Sequence, residues 1–462
     1  MEPVVETAPA PEVSPGVAPD GCPVNVPDVA PDLAPDPAHM LPEAAVAEVA
    51  PAPEVAPATE PALKPTWTAF PVAGLDSDDG FGFGARAQLD IPAPGALPYK
   101  QSYVVHLFMT TEGYHHHRFK FDLVDLGKHE KLRLTGHFAF RAWLNDGYWG
   151  MGNGSVHDTQ YDDLEKDDPR RSYYNYQLIQ PFAHVTLRNE LATVAGGRLS
   201  GYSSLEARYS VIQPYEGSLL AQEQPYGVNG GAAGQVALGL LWDTRSPETT
   251  PESGALLEVS GRVVGMATGD TGAGGDTGGG DAPQLSAFGG PMLSARGYIP
   301  IVPQRLTWAT RLMGEWLFGP VPFYEMVHWG GFVPIAGVGG AETLRGASFG
   351  RWRGPGKAVL QNELRIDVLT HRALKREVRW QLVPFADVGS VWGMDLQSPA
   401  LLGDAVIPDA RFPVHPAGGL GVRGIFATTL VGRFDVAVAQ DVLPNGAYEP
   451  SLGFYLAFDH TY

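Results

Sequence analysis

From Thr66 onward, apolar and polar side chains alternate within segments of about nine to fourteen residues that are separated by turn residues. Period-two alternation bounded by turn residues predicts β-strands. Sixteen such segments occur, so the pattern predicts an all-β protein. The predicted strands cover residues 66–72, 81–90, 101–110, 117–125, 131–143, 178–191, 201–212, 234–245, 254–265, 285–299, 305–318, 358–369, 378–392, 417–426, 429–440 and 449–459.

The length of these segments favours strands that cross a membrane. They exceed the usual five or six residues and match the roughly 9–11 residues that a tilted strand needs to span a bilayer. In 358–369, polar Glu363 and Arg365 alternate with apolar Leu360 and Leu364. A soluble barrel turns its polar face outward, whereas a transmembrane barrel turns it toward the lumen. The alternation alone allows either arrangement.

The spacing between the segments favours the membrane arrangement. Short connections at 300–304, 370–375 and 425–428 alternate with long ones at 144–177, 266–284, 320–355 and 391–412. Short turns at one end and long loops at the other are typical of outer-membrane barrels. We therefore predict a monomeric antiparallel transmembrane barrel over 66–462, whose first and last strands, near 66–72 and 449–459, close it at a short or weak seam. Tryptophans near the predicted strand ends fit aromatic girdles at the two membrane–water interfaces, although ordinary packing also places aromatic residues there. These tryptophans are Trp308, Trp316, Trp380 and Trp392.

Composition separates residues 1–65 from the barrel. This segment consists largely of Pro, Ala, Val, Asp and Glu, with Lys64 as its only basic residue, so it predicts a disordered acidic tail. Its start lacks the basic region and apolar core of a signal peptide. For an exported barrel, we therefore expect the start to be trimmed or wrongly assigned.

Charge and cysteine content exclude several functions. A formal net charge of −19 argues against nucleic-acid binding. The single cysteine, Cys22, supports neither a disulfide framework nor a thiolate metal site. We identify no catalytic constellation, so we expect neither enzymatic activity nor a cofactor.

Several motifs resemble those of the bacterial surface antigen superfamily, the outer-membrane insertases and translocators typified by BamA and TamA. "TLRGASF" in the stretch 339–351 resembles the family's V-R-G-F/Y motif, and "VPFYEMVHWGG" resembles the stretch that leads to it. "LQNELRIDV" resembles the strand that follows, and "PFADVGSVW" matches the F-x-D-x-G motif of the next strand. "YWGMGN" (148–153) is similar to a stretch in members with short N-termini. "WDTRSPETTPESG" is similar to a turn motif, which places Asp243, Arg245, Pro251 and Gly254 in a periplasmic turn.

The order and spacing of these motifs make the resemblance specific, yet the sequence departs from the family in three places. Ala347 follows Arg345-Gly346 where the family has a bulky aromatic residue, and Phe349 stands two positions later. The chain ends on Tyr462 with Phe458 before it, which blurs the family's aromatic end signal. Residues 1–65 leave no room for the periplasmic POTRA domains of relatives, so we expect a short member without them.

The resemblance implies that the loop 320–355 folds back into the barrel. A buried arginine needs paired carboxylates to offset its desolvation, and its planar fork suits them. The alternation places Glu363 and Asp387 on the lumenal face, and the resemblance points to the same two residues. We predict a lumenal latch in which Arg345 bridges Glu363 and Asp387. Phe385 belongs to the same motif, and Gly346 and Gly389 allow close backbone approach.

The resemblance further implies assembly or translocation of other proteins at the bacterial outer membrane, with the tail in the periplasm. Outer-membrane lipid and unfolded outer-membrane or secreted clients would then be the partners. A second hypothesis is a structural barrel, surface antigen or gated pore that has lost client handling. A third is a soluble β-protein. The latch suits either membrane hypothesis, because it could serve stability alone.

Three other features carry weaker hypotheses. His115, His116 and His117 alternate between strand faces and therefore suit a solvated rim better than a metal site. The acidic loop residues Asp162, Asp163, Glu165, Asp167 and Asp168, and the glycine/aspartate segment 268–281, suit solvated loops better than cation sites. "GLGVRG" at 419–424 has only the letters of a dinucleotide motif, because no helix follows it.

Overall fold

A computed structural model describes most of the chain after residue 63. The described residues are 64–76, 79–94, 96–127, 131–162, 164–165, 167–248, 250–269, 284–373, 376–397, 399–405, 414–426 and 430–458. The predicted tail, apart from residues 64 and 65, most of the glycine/aspartate segment, Asp163 and Tyr462 lie outside them.

Sixteen antiparallel strands form one closed barrel, which confirms the predicted fold class. We number them β1 to β16. They are β1 Thr66–Asp76, β2 Gly80–Ala93, β3 Ala96–Thr110, β4 Tyr114–Leu126, β5 Leu132–Gly147, β6 Asn175–Val194, β7 Gly197–Pro214, β8 Gly231–Asp243, β9 Gly254–Thr268, β10 Gln284–Val302, β11 Leu306–Trp316, β12 Gly356–Ala373, β13 Arg376–Trp392, β14 His415–Phe426, β15 Leu430–Val442 and β16 Tyr448–Phe458. Each strand pairs with its sequence neighbours, and β1 pairs with β16 to close the barrel.

The seam between β1 and β16 is short. Its described register consists of Leu75 opposite Leu456 and Asp76 opposite Tyr455. On its other side, β1 pairs with β2 along its whole length, from Thr66 to Asp76. Between the described residues, the ladder that joins β1 to β16 therefore ends at Leu75.

The two faces of the sheet differ as in a membrane barrel. Apolar side chains are exposed on the outside, among them Leu238, Val263 and Val368. Leu360 and Leu364 also point outward, while Glu363 between them is fully buried. The orientation that the alternation left open is thus polar inside and apolar outside. Buried polar side chains inside the barrel include Gln180, Glu206, Arg262, Arg311, Gln361, Glu363, Arg365, Gln381, Asp387, Arg423 and Asp435.

The connections are longer at one end, which we call the loop end; the opposite end is the turn end. The loop end carries 148–174, 215–230, 317–355 and 393–414, although its connections 111–113 and 443–447 are short. The turn end carries two- to five-residue turns and one longer connection, 244–253. In the described part of the chain, no helix is long and apolar enough to cross a membrane.

The interior of the barrel is occupied by the connection 317–355. It contains a small hairpin in which His328–Trp329 pairs with Ile335–Ala336. Trp329, Val338 and Leu344 pack against wall residues such as Met313 and Val359. A core built from a folded-in loop explains why this segment shows no strand periodicity in the sequence.

Candidate functional site inside the barrel

Arg345 lies on the folded-in connection, fully buried. The next residue, Gly346, has φ +95, and a Cβ there would lie 2.7 Å from the backbone nitrogen of Ala439 on β15. A side chain at this position would meet both the strained backbone and the barrel wall. Glycine therefore allows the loop tip to approach β15 closely enough for Arg345 to reach across the lumen.

The structure brings together the three charged residues of the predicted latch. The Arg345 guanidinium binds Asp387 with two hydrogen bonds, from Nε to Oδ2 at 2.7 Å and from Nη2 to Oδ1 at 2.8 Å. Its Nη1 donates to Glu363 Oε1 at 2.8 Å. All three side chains are fully buried. The loop tip is thus held to β12 and β13 by charge-assisted hydrogen bonds, the strongest class between protein side chains.

Two further latch residues also contact the loop. The Arg345 guanidinium carbon lies 3.5 Å from the centre of the Phe385 ring, a cation–π contact. At Gly389, a Cβ would lie 2.8 Å from Val338 Cγ1 and 3.3 Å from Leu344 Cδ2. The glycine of the F-x-D-x-G motif therefore leaves space for the apolar side chains that flank the latch.

The charged network is larger than predicted, because β14 and β15 contribute to it. Asp435 lies 3.5 Å from Arg345 Nη1 and is bonded to Arg423. Arg423 also reaches Glu363 at 3.3 Å, and Arg365 binds the other oxygen of Glu363 at 2.9 Å. The alternation of β14 and β15 already places Arg423 and Asp435 on the lumenal face. The sequence analysis did not predict these two residues, because the segments around them resemble no family motif. Their register with β12 also cannot be read from the sequence.

The loop tip also contacts the last strand. The backbone N–H of Gly346 donates to the Tyr455 hydroxyl at 3.0 Å, and that hydroxyl lies 3.4 Å from the carbonyl oxygen of Ala347. Tyr455 is buried on β16 and stands opposite Asp76 at the seam. The latch thus holds one side of the seam directly.

The predicted turn motif lies at the turn end. Asp243 accepts hydrogen bonds from the backbone N–H, Nε and Nη2 of Arg245 at 2.9–3.0 Å. Gly254 has φ +92 with the carbonyl oxygen of Thr244 2.3 Å from where a Cβ would stand, and Pro251 is buried.

This turn extends across the turn-end mouth of the barrel. Its Glu248 pairs with Arg133 of β5 at 3.0 Å. Its Glu252 pairs with Arg379 of β13, on another part of the barrel wall. The connection 244–253 therefore closes part of the mouth through ion pairs to distant strands.

We call the connection 148–174 the loop-end cover, because it lies over the barrel at the loop end. The motif "YWGMGN" is part of it. Tyr148 is fully buried, and Asn153 Oδ1 accepts from the backbone N–H of Val391 at 3.1 Å. In the same connection, the hydroxyl and carbonyl oxygens of Ser155 accept from Arg351 at 2.8 and 2.9 Å. The connection 148–174 is therefore bonded both to the barrel wall and to the folded-in loop.

His157 bonds this cover to two carboxylates. Its Nδ1 lies 2.8 Å from Asp441 Oδ2 and its Nε2 lies 3.1 Å from Asp162 Oδ2. Burial of the ring disfavours its charged form, but the hydrogen bonds to both carboxylates outweigh it and raise the pKa of His157 to about 9. The resulting stabilisation is complete below the ordinary pKa near 6.5 and is lost as pH rises through about 9.

We expect the connection 148–162 to loosen between pH 7 and pH 10. Hydrogen–deuterium exchange of this segment, corrected for the intrinsic rate at each pH, should become faster over that range. A His157→Gln variant should show fast exchange already at pH 7 and little further change. Equal protection of the wild type at both pH values would contradict this role of His157.

The histidine run lies at the loop end of β4, beside the short connection 111–113, and its three residues are half-buried. Strand β4 begins at Tyr114, which places the histidines inside the strand. His116 lines an interior cavity, whereas the rings of His115 and His117 contact each other at 5.9 Å, as alternation of faces requires. No group of metal-ligating residues forms among the side chains that the structure describes.

Two of the described acidic loop residues, Asp162 and Asp168, make local contacts. Asp168 accepts from the backbone N–H of Arg170 at 2.9 Å and pairs with its guanidinium at 2.7 Å. Asp162 binds His157 as described above.

Comparison with solved structures identifies barrels of the same fold. The chain matches BamA from Haemophilus ducreyi lacking POTRA domains 1–3 with a TM-score of 0.51 and 15% identity, over 86% of this chain and 70% of that one. It matches CdiB from Escherichia coli with a TM-score of 0.50 and 13% identity, over 85% of this chain and 62% of that one. No protein-family model and no curated protein matches the sequence. The chain is a sixteen-stranded β-barrel similar in fold to BamA and CdiB, and it spans less than two thirds of the CdiB chain.

Proposed function

We propose that this barrel assists the assembly or translocation of other proteins at the outer membrane, acting as a monomer without a catalytic centre or cofactor. In this proposal the loop end faces the outside, and the turn end and residues 1–65 face the periplasm. The clients are unfolded outer-membrane or secreted proteins, and the surrounding lipid is the other partner.

The short seam is the observation that carries this proposal. Exposed strand edges present unpaired N–H and C=O groups, which bind an incoming strand by β-augmentation. Among the described residues, the register between β1 and β16 stops at Leu75, and it does not continue toward the turn end. A client strand could pair there without first breaking a long ladder of hydrogen bonds.

The latch supports the same mechanism because it acts on one side of the seam. Its hydrogen bonds reach β12, β13 and β16, through Glu363, Asp387 and Tyr455. Asp435 adds β15 to the group. In our proposal these bonds hold the β12–β16 wall rigid, so that separation of β1 opens the seam without loss of the barrel.

Reconstitution into liposomes tests this function. The full chain in liposomes should accelerate folding of a small unfolded outer-membrane barrel, followed by its heat-modifiable migration on gels. Empty liposomes and liposomes that contain an unrelated sixteen-stranded barrel are the controls. Folding no faster than in either control would contradict the proposal.

A second candidate function is a structural or gated barrel that does not handle clients. The closure of the turn end by Glu248–Arg133 and Glu252–Arg379 favours it. Absence of folding acceleration, together with ion conductance that rises on substitution of Glu252 by Gln, would support this candidate.

A further inference from the structure

A cavity of about 480 Å³ lies inside the barrel beside the folded-in hairpin. Seven arginine and lysine side chains and two glutamates line it, a formal excess of five positive charges, together with four histidines. The whole chain, in contrast, has a net charge of −19. We call this cavity the basic chamber.

Basic residues face each other across neighbouring strands in the wall of the basic chamber. Two arginines, Arg296 of β10 and Arg311 of β11, stand directly opposite each other. Like charges placed directly opposite each other destabilise a sheet, so this arrangement disfavours the empty barrel. An anion in the chamber would relieve the repulsion.

Two of these arginines differ from those of the latch. Arg345 and Arg423 each bind carboxylates, whereas Arg141 and Arg296 form no ion pair within the described part of the chain. The guanidinium of Arg141 lies 5.1 Å from the centre of the Phe182 ring. The Nε atoms of Arg141 and Arg296 are buried without a hydrogen-bond acceptor among the described residues.

A histidine of the same wall offers a further donor. His106 is only 8% exposed, and its Nδ1 accepts a hydrogen bond from Arg118 Nε at 2.8 Å. In the neutral ring the proton must then be on Nε2, which has no partner among the described residues. The wall of the basic chamber therefore offers arginine guanidinium groups together with a neutral N–H donor, His106 Nε2, that has no acceptor among the described residues.

From this geometry we infer that the basic chamber binds a small phosphate-bearing anion. A phosphate offers several acceptor oxygens and more than one negative charge, which suits several arginines at once. The volume of the chamber lies in the range of small-ligand pockets, roughly 300–1,000 Å³. This inference does not depend on the assembly activity proposed above.

Two sources of the anion fit the position of the chamber. Val72–Gly74 of β1 and Leu456–Ala457 of β16 line it where the seam ladder stops, so a lipid headgroup can enter through the seam. A second cavity of about 330 Å³ shares Lys120, His137, Val333 and Pro334 with the chamber and reaches Glu248 at the turn end. A soluble anion can enter from that side.

Binding to the purified full chain in detergent tests the inference. Inorganic pyrophosphate is titrated by calorimetry at constant ionic strength, with chloride as the balancing anion. In a second arm, phosphatidic acid or phosphatidylcholine is added, and bound lipid is counted by native mass spectrometry. Saturable binding of pyrophosphate supports the soluble source, and selective retention of phosphatidic acid supports the lipid source.

Variants on the two walls locate the site. Arg141→Gln and Arg296→Gln should each weaken binding roughly tenfold or more, because each removes a charge-assisted contact. Neither should lower the unfolding temperature of the ligand-free protein, since each removes a repulsive charge. Arg170→Gln, on an exposed loop, is the control and should bind as the wild type does.

Two results would overturn the inference. One is the absence of binding by either probe. The other is binding that both chamber variants leave unchanged. If one variant fails to fold, the other, on the opposite wall, still decides between these outcomes.

Discussion

Arg345→Ala should lower the free energy of unfolding of the barrel by about 3–5 kcal/mol, the usual cost of removing one partner from a buried ion pair. The cost should arise mainly at Asp387, whose described ion pair is with Arg345. Glu363 keeps Arg365 and Arg423 as partners, and Asp435 keeps Arg423. A buried carboxylate without a cation would then remain against β13.

Urea unfolding in detergent, compared between wild type and variant, measures this effect. Limited proteolysis should show in parallel that the connection 317–355 becomes accessible from the loop end. Arg170→Ala, which removes an exposed arginine, is the matched control and should change stability by less than about 0.5 kcal/mol.

A double substitution separates the stability lost with the latch contacts from the stability lost through general damage to the core. Asp387→Asn in the Arg345→Ala background should recover part of the lost stability, because the uncompensated buried charge disappears. Equal stability and equal proteolysis of wild type and Arg345→Ala would show that the buried contacts of Arg345 contribute nothing to holding the loop.

Strand alternation made the fold predictable from the sequence. All sixteen predicted strands occur, because most of them bury polar residues toward the lumen and expose apolar residues outside, a pattern of period two. The first strand extends to Asp76 rather than ending near residue 72. Its glycine and polar residues weaken the alternation there, although the backbone still pairs with β2.

The latch could be located only in part. The sequence predicted Arg345, Glu363 and Asp387, because the family motif and the strand alternation both indicated these residues. Asp435 and Tyr455 depend on how far the loop tip reaches across the lumen, a tertiary property that no local pattern encodes. The basic chamber was missed for the same reason, since Arg141 and Arg296 lie on β5 and β10 and meet only after barrel closure.

The second large effect concerns the seam. Leu75 and Leu456 stand opposite each other and are both exposed on the outer face. Directly opposed residues in antiparallel strands have Cα atoms about 4.5–5.5 Å apart, which a disulfide can bridge. A Leu75→Cys/Leu456→Cys protein, with Cys22→Ser to remove the only native thiol, should therefore lock the seam on oxidation.

A disulfide between two other strands of the barrel provides the control. Val236 and Val263 are opposed on β8 and β9 and are also exposed outside. Val236→Cys/Val263→Cys in the same background introduces a disulfide of the same kind while leaving β1 and β16 free. For both proteins, the reduced form is the internal reference.

The decisive measurement is the rate of client folding in liposomes that contain the seam-locked barrel, compared before and after reduction. If the seam receives client strands, the oxidised protein should fold the client no faster than empty liposomes do, and reduction should restore the acceleration. The Val236/Val263 lock should accelerate folding in both redox states. Acceleration that persists with the seam oxidised would contradict the central claim that clients enter between β1 and β16.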